Sequence, residues 1–365
     1  DKIKKEAANE KIKGIERKEH ITKILHDEIL NLLGKEKKEL KLEKGKKMKK
    51  TITTIIFTAI FILPAFSQQL PVFTLYRDHW SIINPAYISN NYLINEMNMS
   101  VAASYRKQWW GVEGGPVTQV VNWEYIPQDQ NWSTGAHIIN DKTGLIGQSG
   151  AYGQFTYSLK FGRRINQSVV FGLDAGIVQY RAKISQIEWQ DEGDAVLTDD
   201  NVIYPDFGFG MFYHYADQIY AGFSVPQTFG LTTTFRTDNG EFPIERFQHY
   251  YAVIGGYIPV NWFRSNNSFI EPSAFVRFAK NVPLSMAVNA RYLISEVFWT
   301  GIGGSFNFGE QLTGALHFEM GNILGEAIDL QNSQLKLGIG FDMPIGPFEN
   351  FGYGIEFIAV YSWYQ

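Results

Sequence analysis

Residues 151–161 read AYGQFTYSLKF, and their alternation decides the fold. Ala151, Gly153, Phe155, Tyr157, Leu159 and Phe161 fall on one face; Tyr152, Gln154, Thr156, Ser158 and Lys160 fall on the other. Successive side chains of a strand point to opposite faces, so this is a strand with one apolar and one polar side. A strand of a soluble sandwich usually has about 5–6 residues. One of about 9–11 residues is long enough to cross a bilayer at a tilt.

The same period recurs outward from this stretch. Val169, Phe171, Leu173, Ala175 and Ile177 oppose Gly172, Asp174 and Gly176. Leu284, Met286, Val288, Ala290 and Tyr292 oppose Ser285, Ala287, Asn289 and Arg291. Leu312, Leu316, Phe318 and Met320 oppose Thr313, His317 and Glu319. No long segment carries a helical period. Strand spans fall near 98–106, 117–125, 132–140, 151–161, 168–180, 205–214, 217–225, 247–258, 267–278, 284–293, 297–307, 311–321, 334–342 and 352–361. Fourteen is an even number, as in bacterial barrels, and backbone in lipid must be paired by closing the sheet. The fold class expected is all-β: an up-and-down, antiparallel transmembrane β-barrel of about fourteen strands over 98–365. Aromatics near strand ends (Trp123, Tyr125, Trp132, Tyr180, Tyr213, Tyr257, Trp262, Trp299, Trp363) are expected to form the interfacial girdles.

Loop lengths give the expected sidedness. With both barrel ends inside, the connections 107–116, 141–150, 181–204 and 226–246 are long and external, while 126–131, 162–167 and 215–216 are short. The asymmetry fails in the second half: 279–283 is short and 322–333 is long.

Ahead of the strands the chain has three parts. Residues 1–47 hold no aromatic residue and interleave Lys with Glu, a composition that cannot bury a core. Met48-Lys49-Lys50, the apolar run Ile52 to Leu63 and Ala65-Phe66-Ser67 form the three-part pattern of a secretory signal peptide over 48–67, with cleavage before Gln68. Met48 is therefore expected to be the start of translation. Residues 68–97 form an N-terminal periplasmic segment or a plug. Of the 33 basic and 37 acidic residues, 17 and 10 lie ahead of Gln68, leaving 16 and 27, a net charge of −11. That balance argues against nucleic acid as a partner. With no cysteine, the chain has no disulfide, thiolate nucleophile or Cys-ligated metal.

One block carries a family resemblance. Asn84-Pro85-Ala86-Tyr87 precedes Arg106-Lys107-Gln108-Trp109, then Gly114-Gly115-Pro116-Val117-Thr118, then Asn140-Asp141-Lys142-Thr143-Gly144. In order and spacing this resembles the PorP/SprF outer-membrane proteins of the type IX secretion system of Bacteroidetes. The ending Tyr361-Ser362-Trp363-Tyr364-Gln365 departs from the usual terminal aromatic. The resemblance implies a non-enzymatic outer-membrane barrel, reached through the signal peptide. It would serve export or surface attachment of cargo, including gliding adhesins. Its implied partners are outer-membrane lipid, a secreted cargo or adhesin protein and other type IX components. Asn84-Pro85-Ala86 also resembles the hatch of long-chain fatty-acid transporter barrels, which gives an alternative: a channel for small hydrophobic solutes.

Chemistry is sparse. The histidines past the leader (His79, His137, His214, His249 and His317) show no HExxH spacing, and there is no GxSxG or phosphate loop. An enzyme and a cofactor are not expected. His317 and Glu319 share one strand face, as an acid–base pair or as hydrogen-bonding groups of a polar lumen. Asp191, Glu192, Asp194, Asp199 and Asp200 cluster in one loop, either as a Ca²⁺ site or, in the better reading, as solvated surface. Asn84, Pro85, Ala86, Arg106, Trp109, Trp110 and Asp141 are the partner-binding or plug candidates. For Trp109-Trp110 three readings stand: a partner-binding loop, a cap folded over the lumen, or a lipid-interface anchor.

Overall fold

The computed structural model describes residues 71–87, 97–162, 166–183, 200–216, 218–228, 232–237, 240–245, 247–260, 268–294, 297–309, 312–324 and 332–365. The leader and signal segment, together with Trp262 and Asp191, Glu192, Asp194 and Asp199, lie outside these residues. Asp200 opens a strand, but its side chain is likewise outside the description.

The strands are β1 (Met99–Lys107), β2 (Val117–Tyr125), β3 (Trp132–Thr143), β4 (Ile146–Phe161), β5 (Gln167–Ala182), β6 (Asp200–Tyr215), β7 (Ile219–Val225), the hairpin β8 (Thr232–Thr237) and β9 (Gly240–Glu245), β10 (His249–Gly256), its short continuation β11 (Ile258–Pro259), β12 (Phe269–Ala279), β13 (Leu284–Ile294), β14 (Phe298–Phe308), β15 (Leu312–Leu324), β16 (Ser333–Ile345) and β17 (Gly354–Trp363). Fourteen of them close into one antiparallel barrel. Neighbours in sequence pair throughout, β10 bridges from β7 to β12, and the β8–β9 hairpin forms its own two-stranded sheet. The ring closes between first and last strands, from Met99 opposite Trp363 to Lys107 opposite Ile355. Gln365 completes that seam: its N–H donates to Asn98 Oδ1 at 2.9 Å, and Asn98 Nδ2 donates to its carbonyl at 3.3 Å.

Side-chain facing follows the two-residue period. Phe155, Tyr157, Leu159, Phe171, Leu173 and Ile177 point outward and are exposed, while Gln154, Thr156, Ser158 and Asp174 point inward and are buried. An apolar exterior around a polar interior is the pattern of a barrel solvated by lipid. Each barrel strand has a hydrogen-bonded neighbour on both sides, which hydrocarbon demands.

Two expectations need correction, and a third is clarified. Residues 141–150 are not a long loop: β3 and β4 run on to a tight turn with Gly144 at φ 58°, because the backbone of 146–150 pairs with both neighbouring strands. The failed loop asymmetry of the second half does not alter the expected count: β12 and β13 join through a short turn at 280–283, and the barrel still has fourteen strands. Tyr180 and Trp299 are not girdle residues; their inward parity buries them in the lumen.

A charge forced onto the outer face should be costly. Leu173→Arg, near the middle of β5, is expected to destabilise the barrel by about 2–4 kcal/mol in lipid vesicles. Reversible denaturant unfolding measures this, and Thr313→Arg on the inner face near a strand end should cost far less.

Candidate functional site

Residues 71–87 lie inside the barrel. They comprise a 3-10 turn at Tyr76–Asp78, one helical turn α1 (Trp80–Ile83) and the Asn-Pro-Ala-Tyr element. Thr74, Leu75, Tyr76, Arg77, His79, Trp80, Asn84 and Ala86 are all buried against the wall.

The segment divides into an ionic and an aromatic part. Arg291 on β13 donates to Asp78 Oδ2 at 2.7 Å and to Glu319 Oε2 at 3.0 Å. Arg77 pairs with Glu319, and Lys336 with Asp78. Trp299 lies beneath both wall cations, 4.3 Å from the Arg291 guanidinium and 5.2 Å from the Lys336 ammonium. Burial by itself would raise the Asp78 carboxyl, but Arg291 and Lys336 outweigh it and hold the group well below the usual carboxylate range. Further along the wall, Glu356 takes the Thr74 and Leu75 N–H groups at 2.7 and 3.2 Å and meets His79 Nε2 at 2.7 Å. The His317–Glu319 pair of the sequence reading does not form. His317 bonds Asp342 at 2.6 Å, and Glu319 belongs to the arginines.

On the aromatic side, Trp80 and Tyr87 pack with Phe212, Tyr220 and Phe275 at ring separations of 5.1–6.2 Å. The Asn-Pro-Ala-Tyr element anchors this end. Asn84 Oδ1 accepts the Ala86 N–H at 2.9 Å, closing a turn, while Nδ2 donates to the Met211 and Phe223 carbonyls at 3.2 Å each. Gln154 Nε2 donates to the Pro85 carbonyl at 2.5 Å. The wall is cut away to admit this turn: a Cβ at Gly172 would overlap Pro85, and one at Gly210 would overlap Asn84. Asn84, Pro85 and Ala86 thus sit in the lumen, on β4–β7.

Arg106 joins the segment to the wall, donating to Asp342 Oδ2 at 2.5 Å and to Thr74 Oγ1 at 3.3 Å. Asp141 takes the Thr118 hydroxyl at 2.5 Å. Trp109 and Trp110 stand on the rim and dock on the last hairpin loop. Trp109 packs on Phe348 and Phe351 at 6.2 and 5.3 Å, and Trp110 stacks on Tyr353 at 6.1 Å. Trp110 N–H donates to the Tyr353 carbonyl at 3.0 Å. The Gly144 N–H donates to the Gly114 carbonyl at 2.8 Å, so the two signature loops touch.

The family model described as "Type IX secretion system membrane protein PorP/SprF" matches residues 65–360. The chain belongs to the PorP/SprF family. No curated protein matches it. Among solved structures, a CymD monoaromatic hydrocarbon channel is similar at 8% identity and a TM-score of 0.47, covering 83% of this chain and 97% of its own. A Pseudomonas aeruginosa FadL homologue is similar at 9% identity and a TM-score of 0.44, covering 84% and 96%. By its family this PorP/SprF chain is an outer-membrane barrel of type IX secretion.

The sequence reading missed Arg77, Asp78, Arg291, Glu319 and Lys336 as one network. Its signal was available: Arg291, Glu319, Lys336, Asp342 and Glu356 sit at inward positions of their strands. Among the described residues, no group of three metal-ligating side chains converges.

Removing one member of a buried charge network leaves its partners unpaired, at about 3–5 kcal/mol. Glu319→Gln leaves Arg77 without its carboxylate and is expected to destabilise the PorP/SprF barrel by that amount in denaturant unfolding. Adding Arg77→Gln to it should recover part of the loss, since the stranded guanidinium is then gone.

Proposed function

We propose that this chain is a non-enzymatic barrel of the type IX machinery that holds a secreted cargo protein at its Trp109 rim during export or surface attachment. The family match over residues 65–360 supports the machinery, and the occupied lumen supports holding over conduction. The rim carries the reading to a site. Loops 108–116 and 346–353 are braced on each other by stacked aromatics, and Trp110 and Phe348 remain exposed. Rigid, partly exposed aromatics are typical interface anchors. In this reading the Trp109 rim faces outward, and the opposite rim, where β1 begins and β17 ends, faces other type IX components in the periplasm. Delivery to the outer membrane then runs through a cleaved signal peptide over 48–67. The cargo is of the adhesin class that the resemblance implies.

The solute-channel alternative requires an open path. Tyr76, Trp80, Phe212 and Tyr220 pack across the lumen among the described residues, and this supports a sealed barrel.

Replacing Trp109 and Trp110 together with Ala is expected to abolish or reduce surface display of a large adhesin. The folded, heat-modifiable barrel should remain in the outer membrane. Whole-cell immunolabelling of the adhesin, beside quantification of the barrel in membranes, separates the outcomes. Normal display in the double variant and in a gene deletion would remove the cargo role.

A further inference from the structure

Between the filled lumen and the Trp109 rim the barrel keeps a cavity of about 610 Å³. Arg106, Arg277, Asp141, Asp342 and His317 are among its walls. Two guanidinium groups and two carboxylates share these walls, but they are not all paired with one another. Asp342 is met by Arg106 and His317, and Arg106 also reaches Glu356 at 3.6 Å. Arg277 has no such partner among the described residues. Among the described residues it donates one hydrogen bond, from Nη2 to Ser285 Oγ at 2.6 Å, while its Nε is buried without an acceptor. Among the described residues no carboxylate lies within ion-pairing distance of it. A guanidinium offers five donors, and a charge held in a protein wall without a counter-ion is costly. Arg106, only 3% exposed, adds a second unused donor: its Nη1 has no acceptor.

We propose that this cavity binds a single carboxylate, seated on Arg277. Arg277 is a wall cation with no ion-pair partner among the described residues, and one negative charge answers it. A dianion such as phosphate would also face Asp141 and Asp342 on the same walls, whereas a planar monoanion matches the two-pronged donor edge of a guanidinium. Trp109, Tyr180 and Phe348 line the same space, so the carboxylate should carry an apolar body. A free organic acid and the carboxylate end of a polypeptide share this chemistry. The site does not depend on the cargo-holding role and stands or falls separately from it.

Isothermal titration of the full chain in detergent tests the site with two matched pairs. Benzoate is compared with benzamide, and a short peptide ending in a phenylalanine carboxylate with its C-terminal amide. At least one acid is expected to bind saturably at one site per chain, about tenfold or more tighter than its amide. Arg277→Gln should lose that preference and Arg277→Lys should keep part of it, with heat-modifiable migration confirming that both variants fold. Binding of benzoate assigns the site to free acids; binding of the peptide acid alone assigns it to a polypeptide end. Equal binding of acid and amide, no binding of either acid, or an unchanged preference in folded Arg277→Gln would overturn the proposal. Should the variant not fold, the acid-to-amide ratio of the natural chain still decides.

Discussion

A strand in hydrocarbon has no water to satisfy its backbone, and every other feature of this barrel follows from that constraint. The ladder must close, and it closes by pairing Met99–Lys107 with the last strand. Closure gives each residue a side by parity alone. Apolar residues take the lipid side. The charged residues of the same strands (Arg106, Arg291, Glu319, Lys336, Asp342 and Glu356) are left facing one another across the lumen. Burial makes their mutual neutralisation obligatory, because a lone buried charge costs far more than a pair contributes.

The segment 71–87 answers this demand from both sides. Arg77, Asp78 and His79 meet the ionic wall of β13–β17, while Trp80, Asn84 and Tyr87 meet the aromatic and glycine-cut wall of β4–β7 and β12. Neither wall alone would fix the segment. The buried ion pairs hold Arg77, Asp78 and His79, and the edge-to-face rings hold Trp80 and Tyr87, so each wall fixes one end. Together they specify one depth and one rotation. The same arrangement explains why Asn84-Pro85-Ala86 has its chemistry: Asn84 must close a turn with Oδ1 and bridge two strand carbonyls with Nδ2 at once. Such a filled barrel suits a role performed at its rim.

The barrel was largely legible because its signal is local and repeated. Spans such as 117–125 and 284–293 follow directly from period two, and lipid exposes the apolar face cleanly. The lumen was harder to read. Trp299 sits beside a strand end, where lipid girdles form, yet its parity turns it inward beneath Arg291 and Lys336. Glu319 and His317 share a face two residues apart, and spacing along one strand says nothing of the partners that neighbouring strands and the segment provide. Asn140 to Gly144 reads as loop chemistry, but only its glycine turns, and the polar residues before it face other strands. The Trp109-Trp110 pair carries no local clue to its partners, since Phe348, Phe351 and Tyr353 lie far along the chain and become neighbours only when β1 pairs with β17.

The central claim is that residues 71–87 occupy the lumen as a fixed part of the barrel. Hydrogen–deuterium exchange on the protein in native-like lipid tests it most directly. The Thr74, Leu75, Asn84 and Ala86 amides donate to Glu356, to the Trp80 carbonyl and to Asn84 inside the barrel, and should exchange on the slow timescale of the strand amides. Exchange of this segment at the rate of a free peptide, with the strands still protected, would contradict the account.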